Sequence, residues 1–402
     1  MHNLSLDTLL AACRPGGSSV LTSVTPLAPA AGEHAAIAPA RYVSGRNSSY
    51  AFETRYIDGE AATVTIVDGK ASSINRLEEA FSLAFREGHV LLARTPHIAL
   101  QYPDRIWFDF ELPHRFADGH IRAGTIDGTP STDHAAYRAL RDSSPANARP
   151  LLEASPFSLV LGSWDSTRKS NQVRYRSALV GEIIGVLADQ GPNNTEIAAR
   201  GAARFDSASP SVQLSATDMQ ALLDAQAVEL SPKNIKEIQK LIGAAKKGDV
   251  ISASKLGLGS IPPSLNGLGM VACRKIIRSH VLSFAALRQI RFGAQGDGDA
   301  ACRALLAALG LAALARSNSE LVLRANCDLV EKAEPTLVLD ARYGRVEEFG
   351  PLNIDDADDL LASAIAHAES VAGIRWEGQS LEVLGNPTVH RGSVEDDGEE
   401  ND

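Results

Sequence analysis

The stretch Ala61-Ala62-Thr63-Val64-Thr65-Ile66-Val67-Asp68-Gly69-Lys70-Ala71-Ser72-Ser73-Ile74-Asn75-Arg76 changes its periodicity halfway along, and the fold class turns on that change. Ala61 to Val67 alternates and is rich in β-branched residues, which reads as a strand, and Asp68-Gly69 is a turn signal. Ser73 is the expected N-cap of a helix ending at Gly88, with Ile74, Leu77, Phe81, Ala84 and Phe85 on one face. The start of that helix gathers Lys70, Ser72, Ser73, Asn75 and Arg76 where free backbone N–H groups attract anions. A phosphate site fits there, and so does ordinary capping by Ser72 or Ser73.

Working outward, Arg105 to Leu112 alternates strictly and reads as a half-buried strand, with Ile106, Phe108, Phe110 and Leu112 on one side. Ser158–Gly162 reads as a short apolar strand, followed by a polar loop to Gln172 and a helix from about Val173 to Leu187. Leu4 to Cys13 is an amphipathic helix stopped by Pro15-Gly16-Gly17, and the Ala/Pro-rich segment up to about Ala40 is expected as loop or extended chain. Two helices are expected at Thr217–Val228 and after Ser231, with Pro232 at its first position. Beyond them come a helix at Ala300–Arg316, strands at Leu321–Arg324 and Thr336–Asp340, and a helix at Asp356–Val371.

Strands interleaved with helices predict an α+β sheet protein. The expected division is 1–193 and 270–391 as parts of one body, 194–269 as an inserted basic helical segment, and 392–402 as a disordered acidic tail.

The 402 residues are 44% hydrophobic and 22% charged, the balance of a folded globular chain. Cys13, Cys273, Cys302 and Cys327 lie far apart without a Cys-x-x-Cys pair, so free, mostly buried thiols in a reducing cytoplasm are expected rather than a zinc site. No apolar run is read as reaching the roughly 18 residues of a membrane span, and no basic-then-apolar leader opens the chain. The net charge of −10 hides an asymmetry: residues 297–402 hold 22 acids against 8 bases, while 1–296 hold 27 acids against 31 bases. The basic residues concentrate in 231–248, with Lys233, Lys236, Lys240, Lys246 and Lys247. They concentrate again in 250–296, where Lys255, Arg274, Lys275, Arg278, Arg288 and Arg291 stand without an acid.

The loop Trp164-Asp165-Ser166-Thr167-Arg168-Lys169-Ser170-Asn171-Gln172, with Arg174 and Arg176 beyond it, mixes cations, hydroxyls and amides that grip phosphate and sugar without reading sequence. A solvated loop has the same composition. Five histidines, His89, His97, His114, His120 and His134, cluster in sequence but at no metal-ligand spacing. Nucleotide-binding glycine loops and a Gly-x-Ser-x-Gly elbow are both missing, so no catalytic residue, metal or cofactor is expected.

Seven dispersed pieces in order resemble one family. They are Tyr50-Ala51-Phe52-Glu53, the Ser72–Ala80 run, the Leu112–Gly119 run, Leu161-Gly162-Ser163-Trp164-Asp165-Ser166-Thr167, the Arg176–Ile183 run, Asn266-Gly267-Leu268-Gly269, and the Leu282–Arg288 run. The sequence is similar here to the Cas-seven-type backbone protein of type I-G (formerly I-U) CRISPR systems, in the RAMP superfamily. The family's Ser-Gln-Ala-Asn-Arg reads Ser72-Ser73-Ile74-Asn75-Arg76 here, and its Ser-Glu-Ile reads Gly181-Glu182-Ile183.

The resemblance implies a ferredoxin-like (RRM-like) palm with thumb-like insertions, copies of the chain lined along a guide CRISPR RNA, target DNA and other Cas subunits as partners, and no membrane. Residues expected to touch RNA are Arg46, Lys70, Ser72, Ser73, Asn75, Arg76, His114, Arg115, Trp164, Ser166, Thr167, Arg168, Lys169, Gln172, Arg174, Arg176, Lys255, Asn266, Arg274 and Arg288. The competing readings are a nuclease of the same superfamily using His97, His114 or His120 as general base, and a small-molecule enzyme with the Trp164 loop over its pocket.

Overall fold

The computed structural model describes residues 2–44, 47–168, 173–191, 211–259 and 269–392. Among these the chain divides into two compact units, 1–195 with 271–402, and 196–270. The first unit is α+β and is built on one twisted antiparallel sheet.

Leu6–Cys13 forms α1, capped by Ser5. Val20–Pro29 is β1, Phe52–Ile57 is β2, Glu60–Asp68 is β3, and Lys70–Arg86 is α2. The short helix Gly119–Ala123 is α3, Ser163–Trp164 and Arg174–Tyr175 pair as the hairpin β4–β5, and Leu179–Leu187 is β6. In the second unit α4 is Ala216–Gln226 and α5 is Pro232–Ala244. Cys273–Ser283 is β7, Gly298–Ser319 is α6, Leu329–Glu331 is β8, Thr336–Asp340 is β9, Val346–Phe349 is β10, Ile354–Ala372 is α7 and Pro387–Gly392 is α8.

The main sheet runs β10-β9-β1-β7-β6-β3-β2, with β8 also paired to β1. Its four central strands, taken in chain order as β1, β6, β7 and β9, lie in the order 4-1-3-2. The connection from β1 to β6 contains α2 and that from β7 to β9 contains α6, which is the ferredoxin-like βαββαβ pattern. A second, five-stranded sheet joins His97–Gln101 in parallel to Ser380–Leu384.

Both crossover helices lie on one face. Leu77 and Phe81 of α2, the Ala/Leu side chains of α6, and Leu21, Leu179, Leu282, Leu337 and Leu339 of the sheet share a single core. By length and composition α6 could cross a membrane, with mean hydropathy 1.5, but its 18-residue apolar window is 94% buried inside the protein. It corrects the expectation that no apolar run reaches that length: Ala and Gly carry much of its apolar character, and small side chains let it pack closely on every side.

Several local expectations fail, each for a physical reason. Residues 173–187 form β5 and β6 rather than a helix, because Val180, Ile183, Ile184 and Val186 are β-branched and Gly181 and Gly185 sit where a side chain has no room. Ser158–Gly162 is a helical turn, Phe157–Val160, started by Ser155 and Pro156. A short run buried on all sides has no periodicity to separate strand from helix. The strand at 105–112 is cut to Ile106–Phe108 because Asp109 turns inward, accepting from the Ile98 N–H at 2.9 Å and from Ser155. Leu321–Arg324 is not a strand, while the segment expected as loop or extended chain does hold extended chain, β1, at the centre of the sheet. All four cysteines are free, three of them buried.

In the second unit, Ser231 caps α5 as expected, with Ile238 buried against Met219 and Leu223 of α4, while Lys233, Lys236 and Lys240 face solvent. Of the expected tail 392–402, Gly392 ends α8 and 393–402 lie outside the described residues.

The sheet's inner face is not wholly apolar. Register sets Ser23 opposite His280, and His280 opposite Gly181. Burial, reinforced by Arg278, pushes the His280 imidazole down to about 3, so it is neutral. A Cβ on Gly181 would fall 2.1 Å from His280 Cδ2 and 2.7 Å from Ser73 Oγ, so a serine at this position has no room here. Gly181→Ala is therefore expected to destabilise the chain by about 1–3 kcal/mol. Gly243→Ala in α5, which meets nothing within 4 Å, is expected to be neutral or slightly stabilising. Urea midpoints of the two variants check both.

Candidate nucleic-acid interface

Asp68 closes β3 with its carboxylate almost fully buried and immediately accepts from the next helix. Ser72 Oγ donates to it at 2.7 Å and Arg76 Nε at 3.2 Å, with Arg324 3.7 Å away. This anchoring draws the start of α2 forward to Lys70, with Gly69 as a cap that has no side-chain acceptor. Ser73, expected to be the cap, is instead buried one turn in, against Gly181. The helix start is thus capped by no side chain, while the Asp68 carboxylate lies beside its first turns, held by Ser72 and Arg76.

Beside this helix start lies a groove of about 710 Å³. Ala71, Ile74 and Asn75 of α2 form one wall, Pro113, His114 and Arg115 a second, and the β4–β5 hairpin with Trp164, Arg174, Tyr175 and Arg176 a third. Arg115 ties the three together. It is buried at a left-handed φ of 49°, and it donates through Nε to Glu78 of α2 at 2.6 Å and through a terminal nitrogen to the Gly162 carbonyl at 2.6 Å. Gly162 itself has φ 89°, and a Cβ there would strike Ser177 N and the Tyr175 carbonyl below 3.0 Å, so only glycine closes the base of the hairpin.

Burial outweighs the nearby guanidinium of Arg115 and pushes the Glu78 carboxyl up to about 7. The pair is a strut, not a contact surface.

The expected site residues sort into four groups. Lys70, Asn75, His114, Trp164, Arg174 and Arg176 are solvent-exposed around the groove or the start of α2. Arg174 lies over the Trp164 ring at 5.2 Å, and among the described residues neither Lys70 nor Arg176 pairs with a carboxylate. Ser72, Ser73, Arg76 and Arg115 are committed to the internal contacts above.

The third group is partnered or remote. Thr167 accepts from Arg122, and Arg168 donates to the Arg141 carbonyl and to Asp142, both at 2.7 Å. Ser166 is half-buried beside them. Arg288 donates to the Ala12 and Ser18 carbonyls, and Lys255 pairs with Glu237 at 2.6 Å within the second unit. Arg274 is exposed but sits at the far end of β7 from Val281, whose partner Val180 lines the groove. Seven residues of strand separate the two, about 23 Å. Arg46, Lys169, Gln172 and Asn266 lie outside the described residues.

The basic block 250–296 is thus dispersed. Lys275 pairs with Asp58, and Arg278 is buried against Thr25 and Glu331. Of the histidines named as possible bases, His97 is buried with Nδ1 on the Thr95 carbonyl at 3.0 Å, and His120 bonds Tyr102 OH at 2.8 Å. Sequence reading missed the roles of Gly162 and Ser177, although the glycine inside Leu161-Gly162-Ser163-Trp164 was a usable sign of a tight turn. Among the described residues no group of three or more His, Cys, Asp or Glu is placed to hold a metal ion.

Residues 21–190 match a family model described as CRISPR-associated protein GSU0053, so over that span the chain is similar to a CRISPR-associated family. The three walls of the groove fall within those residues. No curated protein matches the chain.

Arg115→Ala is expected to cost about 3–5 kcal/mol, because it leaves Glu78 buried without its partner. Glu78→Gln keeps a hydrogen-bonding group and removes a titration. With the folded carboxyl near 7 and the ordinary value 4.5, the folded state holds an extra proton between those two values, and stability falls as pH rises through that window. Relative to Glu78→Gln, the native chain should therefore lose on the order of 1–3 kcal/mol between pH 5 and 7.5, read from urea midpoints.

Proposed function

We propose that this chain is an RNA-holding backbone subunit of a CRISPR surveillance complex of the type I-G kind. Copies of it line a guide CRISPR RNA beside other Cas subunits, and the assembled filament presents the guide to target DNA. The observation that carries this reading is the groove at the start of α2. Exposed Arg174 and Arg176 and the exposed Trp164 indole line it beside Asn75 and His114, within the span similar to a CRISPR-associated family.

The chemistry suits a ligand whose sequence must not matter. A guide carries any spacer, so its holder can grip only what all RNA shares, phosphates and 2′-hydroxyls, while base pairing reads the target. Arginine forks and backbone N–H groups bind phosphate, and Trp164 offers a face to any base. The sheet's outer face carries Val24, Val180, Ser279 and Val281 and is without the aromatic pair that RNA-recognition sheets use for stacking, which directs RNA to the groove.

Holding rather than cutting is the reading favoured here. His114 is the histidine at the groove, and no carboxylate or second histidine is bonded to its ring among the described residues, so nothing orients it as a general base.

Fluorescence anisotropy with labelled single-stranded RNAs of equal length tests the grip. Affinity should fall steeply with salt and vary little with base sequence, and Arg174→Glu or Arg176→Glu should each lower the salt slope by about 0.7 per lost phosphate contact. Arg288→Ala should lose stability and keep the slope. Affinity that follows base sequence and ignores salt would overturn the reading. The purified chain should also leave RNA intact over hours with magnesium, and cutting abolished by His114→Ala would put a nuclease in its place.

A further inference from the structure

The turn between β9 and β10 holds two side chains in backbone that suits glycine. Arg342, Tyr343 and Gly344 follow one another at φ 66°, 55° and 75°, all left-handed, and only the last is glycine. A side chain in that region crowds the following carbonyl, so the first two positions are held against a loss of stability. Arg342 is kept there by its neighbours: its N–H donates to Asp340 Oδ1 at 3.0 Å and its Nε to the Gly17 carbonyl at 2.9 Å. Tyr343 has no such hold. It is 96% exposed, and among the described residues nothing bonds to its hydroxyl or stacks on its ring. Arg345 beside it is exposed and pairs with no carboxylate among the described residues. Folding gains nothing from a tyrosine at this position, and glycine would relieve the turn.

Register places the tip at the same end of the sheet as the groove. Leu339 lies opposite Leu21, Leu21 opposite Leu282, and Leu282 opposite Leu179. The turn leaves β9 at Asp340, one residue past that row, and the groove's Arg176 and Ser177 come just before Leu179 enters β6. Contacts bridge the two exits: the Ser283 N–H donates to the Ala178 carbonyl at 2.7 Å, Ala285 N–H to the Ser19 carbonyl at 3.2 Å, and Ser19 N–H to Asp340 Oδ2 at 3.2 Å. Three strand spacings separate β9 from β6, about 14 Å, or about four nucleotides at the 3.4 Å rise of a stacked strand. Of the acids in this hairpin, Asp340 is taken up by Ser19 and Arg342, Glu347 lies 3.1 Å from His2, and Glu348 sits opposite Val338, back along the strand.

Resting on the reading of the groove as an RNA site, the geometry points to a second RNA contact on this chain. Tyr343 stacks on a base and Arg345 takes the adjoining phosphate of the same strand that Trp164 and Arg174 hold about four nucleotides away. The two stations have one make-up, an exposed aromatic face beside an arginine. It suits a strand of any sequence, because every base has a face and every link a phosphate. Tyr56 is 82% exposed but lacks this placement. It pairs with Ala61, beyond Val64, whose partner Val186 lies near the far end of β6.

Tyr343→Gly separates this role from folding. Relief of the left-handed φ should raise the urea midpoint, while calorimetric titration at low salt should show affinity for an RNA of about 8 nucleotides lowered by about 5- to 20-fold. RNA is kept in excess, so that each strand carries one chain. Arg345→Glu should lower the salt slope by about 0.7, and Tyr56→Ala should change neither affinity nor slope. Photocoupling of the native chain to 4-thiouridine RNA, read by peptide mass, should mark Tyr343 together with Trp164. Unchanged affinity in Tyr343→Gly, or coupling confined to Trp164, overturns the inference. So does a lowered urea midpoint, which would make the tyrosine part of the fold. If Tyr343→Gly spares the short RNA yet stops further copies loading on a long one, the tip is a contact between copies and the inference is again overturned. If Arg174→Glu weakens RNA and neither tip variant does, the inference fails and the groove reading stands. If the tip variants weaken RNA and the groove arginines do not, the groove reading fails and the contact at Tyr343 stands.

Discussion

The Arg115 strut is the interaction on which the groove depends. One guanidinium reaches from a left-handed turn to a carboxylate on α2 and a carbonyl at the base of the β4–β5 hairpin, both at 2.6 Å, with its surroundings almost closed to water. Such a pair contributes little net stability against an apolar replacement, since desolvating two charges offsets most of their attraction. Its value is geometric. An arginine fork admits few arrangements, so the spacing between the helix start and the hairpin is set by the length of one side chain rather than by loose loop packing. The raised Glu78 carboxyl is the cost of putting this strut in a dry place.

A second polar line runs beneath the helices. Ser23, His280, Arg278 and Thr25 occupy neighbouring register positions on β1 and β7, where an apolar sheet face would be expected. Arg278 finds Thr25 and Glu331, and His280 is kept neutral between Arg278 and the bare backbone of Gly181. The missing side chain at Gly181 is what lets α2 seat Ser73 close to the sheet, and so it helps set the position of the groove's first wall. Strand register and groove geometry are coupled through that one contact.

Charge is distributed by partner rather than by composition. Lysines and arginines are frequent along 250–296, yet Arg278 and Arg288 are consumed by internal acceptors, Lys275 by Asp58 and Lys255 by Glu237. Among the described residues the cations at the groove without a carboxylate partner are Arg174 and Arg176, on a short hairpin whose loop was one of several polar, cationic stretches in the sequence. A binding surface is made by unsatisfied donors, and satisfaction is a property of three-dimensional neighbours.

What the sequence determined by itself was local. The strand at 60–68, the helix after it, the cap at Ser231, the buried faces of α2 and α5, and the long Ala/Leu helix follow from periodicity and capping chemistry that a few adjacent residues carry. The clustering of polar and cationic residues near 70–76 and 164–176 was likewise visible, as were the motifs similar to a CRISPR-associated family. Tertiary structure decided the remainder. Residues 179–187 carry a β-branched bias, but their apolar pattern alone does not separate strand from helix, and a place between β7 and β3 supplies the ladder hydrogen bonds that decide it. Whether Arg76, Arg115 and Arg288 meet solvent depended on Asp68, Glu78 and the Ala12 carbonyl, groups 8, 37 and 276 positions away in sequence. Pairing at such separations leaves no periodic trace in one chain, since any acid or carbonyl could fill the role and only the fold selects which one does.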